Sequence, residues 1–255
     1  MLRRALVFIY GLASYAVFFA TFLYAIGFIG NFLVPRTIDG AQQMDFTSAL
    51  LIDLGLLMLF AIQHSVMARP AFKRVLTRII PEPAERSTYV LASSAALIAL
   101  FYYWQPLGGS VWNVTDPTAR GVLYGLYAFG WLLLLYVTFL INHFDLFGLR
   151  QVWLELVDRP YTDIGFRMPA LYRLVRHPLY VGWIVIFWAT PSMTLTHLVF
   201  AIATTGYILV AIQFEEHDLE DQLGADYREY KRRVPMLIPF TKRAEAPSLS
   251  ARQPR

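Results

Sequence analysis

The sequence predicts an all-α fold, a polytopic bundle of transmembrane helices. Hydrophobic residues make up 57% of the 255 residues, and the mean hydropathy is +0.47. Only 16% of the residues are charged, whereas an average soluble domain has about 25%. The apolar residues are gathered in six stretches, and the cations lie mostly in alternate segments between them. This composition excludes a disordered chain, a nucleic-acid-binding arm and an ordinary soluble enzyme.

The N-terminal stretch is the first of four predicted spanning helices. It runs from Leu6 to Val34 without a charged residue, which exceeds the roughly 20 residues that a bilayer core requires. Because it is longer than the core of a signal peptide and lacks a convincing cleavage site, we interpret it as a retained signal-anchor helix. The other three spans are predicted at 46–68, 88–104 and 121–141.

The next two stretches are predicted to form a C-terminal helical hairpin, so that the protein has five or six membrane helices. The first arm, 179–190, gives only about 18 Å of helix at 1.5 Å per residue. The second arm runs over 195–214, with Pro191 between the two. Either the first arm extends past Pro191, or the pair is buried as a hairpin against the other helices.

A short cytoplasmic amphipathic helix is predicted after the hairpin, around the basic run 228–233. We interpret this run as a membrane-facing segment rather than a nucleic-acid patch. The tail 243–255 contains Pro and Ser and is predicted to be disordered. Residues 1–242 are thus expected to form one integral membrane domain.

The positions of the cations predict the topology. If the N-terminus is cytoplasmic and the spans alternate, only Arg36 and Arg120 of the 22 Lys and Arg residues fall outside. Cytoplasmic loops of membrane proteins carry the excess of Lys and Arg. We therefore expect both termini in the cytoplasm and the hairpin as an up-and-down pair.

Four polar clusters mark the candidate site, because polar residues in or beside membrane helices are costly and often functional. All four map to the predicted cytoplasmic ends of helices: 63–64, 142–145, 172–180 and 215–218. Each also has a structural explanation, such as headgroup anchoring by arginines or a solvated helix end. Their convergence on one level of the membrane is what favours a site.

The hairpin sharpens this prediction. If the chain turns near 191–196, His177 and Glu215 come to the same mouth. A spacing of four residues would also stack Arg173 on His177 and Arg176 on Tyr180. We therefore expect a cationic and aromatic strip that faces an acidic pair, under an apolar lid.

Several other chemistries lack support. The chain has no cysteine, and its five histidines show no metal-ligand spacing, so no metal site is predicted. A glycine-rich phosphate loop and a nucleophile-elbow serine are also missing from the sequence.

The C-terminal residues resemble a known family of membrane enzymes. Arg176-His177-Pro178-Leu179-Tyr180-Val181-Gly182 is followed by about thirty apolar residues, by Glu215-Glu216 and by the run 223–235. This pattern is similar to the C-terminal half of the isoprenylcysteine carboxyl methyltransferase superfamily. Segments 63–69 and 142–151 are similar to one bacterial branch of it, the methanethiol S-methyltransferases, and with that branch the likeness covers most of the chain.

The resemblance implies a bacterial inner-membrane enzyme that makes dimethyl sulfide from methanethiol and S-adenosylmethionine. It implies that the methyl donor is held by these residues: Tyr172, Arg176, His177, Pro178, Leu179, Tyr180 and Glu215, with Glu216 as neighbour. The carboxyl methylators carry a basic residue where this chain has Ala211, which disfavours a carboxylate substrate. A base is needed for the thiol; the candidates are His64 and His143, with Asp145 orienting or charging one of them.

Three alternatives stay open. The acceptor could be a prenyl-cysteine, a phospholipid amine or a larger thiol. The chain could be a membrane reductase that binds NADPH, since sterol reductases share a similar terminal motif. It could also be a non-enzymatic membrane sensor or assembly protein. The sequence is silent on the oligomeric state.

Overall fold

The computed structural model describes residues 1–162 and 170–241, which form a bundle of α-helices with one small sheet. The predicted disordered tail, 243–255, lies outside the described residues. The α-helices are α1 (Leu2–Gly30), α2 (Phe46–Ala68), α3 (Pro70–Leu76), α4 (Glu85–Tyr103), α5 (Pro117–Ile141), α6 (His143–Leu146), α7 (Leu149–Leu156), α8 (Pro178–Trp188), α9 (Leu195–Leu223) and α10 (Ala225–Arg233). Short 3-10 turns cover Glu82–Ala84 and Ala170–Arg173.

The chain is an integral membrane protein. Among the described residues, four helices are long and apolar enough to cross a bilayer: α1, α2, α5 and α9. Helix α4, predicted as the third span, has 19 residues but is not among these four. Helix α8 has only 11 residues, or about 16 Å at 1.5 Å per residue. The polytopic helical fold is therefore confirmed, with α8 as the arm that is too short to span on its own.

The two ends of the bundle differ in charge, as the alternation of spans predicts. At one end Arg3 pairs with Glu155 at 2.8 Å, and Arg69 pairs with Asp218 at 2.9 Å. At the other end Arg36 donates to the carbonyl of Tyr102 at 2.6 Å. At the first end Arg86 also donates to the carbonyl of Leu146 at 2.8 Å, which joins the two groups of segments that these ion pairs connect. The cation-rich segments thus lie together at one end of the bundle.

The hairpin of α8 and α9 forms as predicted, and it turns through a strand. Helix α8 ends at Trp188, two residues before Thr190, which precedes Pro191 and is disfavoured in a helix. The arm therefore does not extend past Pro191. Strand β2 (Ser192–Thr194) follows and pairs antiparallel with β1 (Ser110–Asn113). This small sheet was not predicted.

Glycines allow α8 to lie close against α5. A Cβ on Gly130 would lie 3.1 Å from the carbonyl oxygen of Gly182 and 2.8 Å from Ile186. A Cβ on Gly182 would lie 3.2 Å from the carbonyl oxygen of Gly130. Small residues at such a crossing let two membrane helices approach closely. The short arm is thereby held against a helix that does span.

Helix α9 corrects one prediction. The second arm was expected to end at residue 214 with the acidic cluster closing it, but the helix continues through that cluster to Leu223. Glu, Leu and Gln favour the helical conformation. The helix ends only at Gly224, whose φ of +59° is a conformation that glycine adopts readily. The acidic residues therefore lie on a rigid helical extension.

Helix α10 confirms the predicted amphipathic helix, but not its orientation. Its Tyr227 and Tyr230 are buried, and with Val234 they pack against Leu219 and Leu223 near the end of α9. The segment was interpreted as membrane-facing. Its apolar face is instead used within the protein, because the turn at Gly224 folds α10 back toward the residues that precede α8.

Candidate active site

The start of α8 and the acidic pair on α9 bring together the two C-terminal polar clusters. We call this region, formed by His177, Tyr180, Glu215 and Glu216, the mouth of the hairpin. His177 caps α8, and its Nε2 lies 2.9 Å from Oε1 of Glu216 on α9. Its Nδ1 lies 3.8 Å from Oε2 of Glu215, and the Tyr180 hydroxyl donates to that oxygen at 3.1 Å. The predicted approach of His177 to the acidic pair is confirmed.

The two glutamates have different surroundings. The Glu216 side chain is only 3% exposed, whereas that of Glu215 is 46% exposed. Glu216 is saturated by partners from the protein, since Arg176 and Lys231 also bind it. Glu215 is therefore the carboxylate that a ligand can reach, and Glu216 lies behind it.

Arg176 lies in the wall of this mouth rather than on its surface. Its Nε donates to Glu216 Oε1 at 2.7 Å, and its NH1 donates to the carbonyl of Val234 at 2.6 Å. The predicted stacking of Arg173 on His177 and of Arg176 on Tyr180 is wrong. His177 has a non-helical backbone, so the spacing of four residues does not apply across it, and Arg173 is exposed.

The remaining C-terminal residues of the prediction lie beside the mouth. Pro178 is buried at the first position of α8, and Leu179 packs against the main core. The carbonyl of Tyr172 accepts a hydrogen bond from the Tyr230 hydroxyl at 2.7 Å. Burial raises the pKa of the Tyr172 phenol above its ordinary value, so this hydroxyl stays protonated.

His64 lies on α2, and its ring faces polar side chains of α4. Its ring is within 2.9–3.0 Å of the Tyr89 hydroxyl and 3.2 Å from Ser93 Oγ. The hydroxyl of the next residue, Ser65, lies 3.0 Å from the Tyr207 hydroxyl on α9. Polar side chains of α2, α4 and α9 therefore surround His64.

His143 lies in a different setting. It is buried, its Nε2 is 2.7 Å from the Tyr15 hydroxyl, and its Nδ1 is 2.9 Å from Thr138 Oγ1. The ring of Phe139 stacks on it with centroids 4.5 Å apart. Burial lowers the pKa of His143, so the ring is neutral at neutral pH. Both ring nitrogens are thus engaged within the bundle.

Asp145 does not orient either histidine. Its Oδ1 pairs with Arg150 at 2.9 Å, and its Oδ2 accepts from the Tyr161 hydroxyl at 3.3 Å. The prediction was that Asp145 orients or charges one of the histidines, and in the described structure its carboxylate pairs with Arg150. Within a helical turn as short as α6, the carboxylate faces the nearby Arg150 instead.

Sequence reasoning missed two residues that the fold brings to the site. Lys231 lies on α10 and reaches Glu216, and Tyr89 lies on α4 and reaches His64. Lys231 belongs to a run that was seen only as basic. Neither contact has a signal in the sequence, because each joins segments that are distant along the chain.

Comparison with known proteins assigns the chain to a family. The model of the NnrU protein family matches residues 52–241. The chain belongs to the NnrU family. This match includes most of α2, all of α4 and the whole C-terminal mouth, so the described site lies within the matched part of the chain.

The chain is similar over most of its length to several named proteins. A protein of Crocosphaera subtropica named methanethiol S-methyltransferase is 55% identical, over 94% of each chain. One of Mycobacterium tuberculosis with the same name is 53% identical, over 95% of this chain and 99% of the relative. The nurim protein of Xenopus laevis is 32% identical over 78% of this chain and 74% of its own. The predicted resemblance to the methanethiol S-methyltransferase branch is confirmed. No solved structure matches the chain.

Proposed function

We propose that this protein methylates methanethiol to dimethyl sulfide with S-adenosylmethionine as the methyl donor. The observation that carries the proposal is the identity of 50–55% over nearly the whole chain to proteins named methanethiol S-methyltransferase. The mouth described above supplies a place for the reaction. We further propose that the mouth faces the cytoplasm of a bacterial inner membrane, with both termini on that side.

The residues of the mouth suit this donor. S-adenosylmethionine supplies a methyl group on a sulfonium cation, together with hydroxyl and ammonium groups that donate hydrogen bonds. Glu215 offers a half-exposed carboxylate, and its Oε2 lies beside Nδ1 of His177. The oxygen and the nitrogen can each accept such a hydrogen bond. Tyr180 adds an aromatic face that attracts a cation. These residues, with Tyr172 and the Arg176–Tyr180 segment around them, would hold the donor.

The acceptor side of the site is neutral. Ala211 precedes Glu215 by one turn of α9, so this position offers no cation for a substrate carboxylate. The surroundings of His64 are phenols and hydroxyls of α2, α4 and α9. A small uncharged thiol that dissolves in the bilayer fits such surroundings better than a prenyl-cysteine carboxylate.

His64 is the base that we propose. It takes the thiol proton, the thiolate sulfur forms a bond to the methyl carbon, and the bond from that carbon to the sulfonium sulfur breaks. Displacement of this kind is in line, so positioning supplies much of the acceleration. Tyr89 and Ser93 hold the ring of His64. His143 remains the second candidate, although its ring nitrogens are already bonded to Tyr15 and Thr138.

Headspace analysis tests the proposal. Cells that express the protein are fed methanethiol, and dimethyl sulfide is measured beside an empty-vector strain and a Glu215→Gln strain with equal membrane protein. We expect the strain with the wild-type chain to release much more dimethyl sulfide than either of the other two strains. Release no greater than that of the empty vector, with the protein present in the membrane, would contradict it. A fusion of green fluorescent protein to the C-terminal tail should fluoresce, because the tail is proposed to be cytoplasmic. A dark fusion, together with an active fusion of the tail to a periplasmic phosphatase, would contradict the proposed topology.

A further inference from the structure

The Glu216 carboxylate is a buried hub of charge at the base of the mouth. Its Oε1 accepts from Arg176 Nε at 2.7 Å and from His177 Nε2 at 2.9 Å, and its Oε2 lies 3.0 Å from Lys231 Nζ. Removing a charge from water is costly unless its partners are well placed. The position of this carboxylate therefore depends on all three partners.

Lys231 is the partner that joins α10 to α9. Its ammonium also pairs with Glu220 at 2.8 Å, one turn further along α9. The carboxylates of Glu220 and Glu216 raise the pKa of Lys231 above its ordinary value. Its backbone carbonyl accepts from Arg176 NH1 at 3.2 Å. One residue thus links the acidic face of α9 to the segment that carries the histidine.

The orientation of His177 follows from this hub. Nε2 donates to the Glu216 carboxylate, and in the tautomer that carries its proton on Nε2, Nδ1 is a hydrogen-bond acceptor. That atom lies 3.8 Å from Glu215 Oε2. Two acceptors side by side match a ligand with two neighbouring donors, such as the vicinal hydroxyls of a ribose. The pair keeps this spacing only while Glu216 holds the ring.

We propose that Lys231 is a positioning residue for the methyl-donor site. It fixes Glu216 and holds α10 in place, and Glu216 in turn orients His177 toward Glu215. Lys231 does not touch the donor itself. This inference rests on the proposed function, and it assigns a role to α10 in affinity for the donor rather than in chemistry.

Steady-state kinetics of the purified full-length protein test the inference. For Lys231→Met we expect the KM for S-adenosylmethionine to rise about 5- to 20-fold, since a charge-assisted contact is lost. The kcat and the KM for methanethiol should stay within about twofold, because the change affects donor binding only. Lys231→Arg should restore the donor KM to within about threefold of wild type. Titration calorimetry with S-adenosylmethionine measures the same loss without turnover.

A matched control lies on the same helix. Arg232 is exposed and pairs only locally with Glu229 in the described structure, so Arg232→Met should leave all three parameters unchanged. Lys231→Gln keeps a hydrogen-bonding N–H group without the charge and should give an intermediate KM for S-adenosylmethionine. This variant preserves the test if Lys231→Met does not fold. An unchanged donor KM in a folded Lys231 variant, or an equal rise in Arg232→Met, overturns the role of Lys231. A wild-type protein that binds no S-adenosylmethionine overturns the proposed function instead.

Discussion

Replacement of His64 by asparagine tests the chemistry of the site most directly. Asparagine can keep a hydrogen bond to Tyr89 or Ser93, which now contact the ring at 2.9–3.2 Å, but it cannot take a proton. A cysteine thiol with a pKa of about 8.5 is about 3% ionised at pH 7, and a simple alkanethiol is a weaker acid and is ionised less. If the base brings ionisation close to completion, its loss lowers kcat at least about 30-fold, or about 2 kcal/mol of barrier.

The pH dependence distinguishes this role from a structural one. As the pH rises toward 9.5, solvent supplies more of the thiolate, so the deficit of His64→Asn should shrink at least about 10-fold. The assay is the initial rate of dimethyl sulfide release at saturating donor, from pH 7 to 9.5. His217→Asn is the control, because the His217 side chain is 75% exposed and pairs only with Asp221 among the described residues.

Two results would refute this reasoning. One is a His64→Asn enzyme with more than half of the wild-type rate at pH 7. The other is a deficit that stays the same at pH 9.5, which would indicate a packing defect. If His143→Asn instead shows the loss and the recovery at high pH, the base is His143.

Three further outcomes follow from the contacts of the described residues. Glu215→Gln should raise the donor KM about 10-fold with little change in the KM for methanethiol, because a charged acceptor becomes neutral; equal changes in both constants would contradict it. Arg176→Met should lower the free energy of unfolding by about 3 kcal/mol, because it removes a partner from buried Glu216; thermal melting in detergent measures this, and a shift no larger than that of Arg232→Met would count against it. Burial lowers the pKa of His143 in the folded protein, so its stabilising effect is complete above the unfolded pKa of about 6.5 and is lost as the pH falls below it. The melting temperature should therefore drop between pH 7 and 5, and less so in His143→Gln; parallel curves would exclude His143 as the cause.

Much of the fold could be predicted from the sequence, because the bilayer imposes a strong constraint on composition. A spanning helix requires about 20 apolar residues, and α2 begins and ends at the predicted residues, 46 and 68. The cations have to avoid the apolar layer, so their alternation also predicted which loops meet at one end of the bundle. The break before α9 was visible as Pro191.

The C-terminal half of the site could be predicted because its parts lie on one hairpin. Once the chain turns near 191–196, His177 must approach Glu215 and Glu216, and it does so at 2.9 Å from the latter. The roles of the two glutamates could not be separated in this way. They are adjacent in sequence and chemically identical, and they differ only in which of them faces α10.

Tertiary structure alone decided the other contacts. Asp145 lies two residues from His143 along the chain, yet it pairs with Arg150 while His143 bonds to Tyr15 on α1. Short polar turns choose partners by side-chain direction, which hydropathy and charge do not encode. By itself the sequence determined a membrane bundle, the gathering of its cations at one end and the mouth of its last hairpin. Packing between helices distant in the chain determined that Lys231 stands behind the mouth and that the phenol of Tyr89 holds His64.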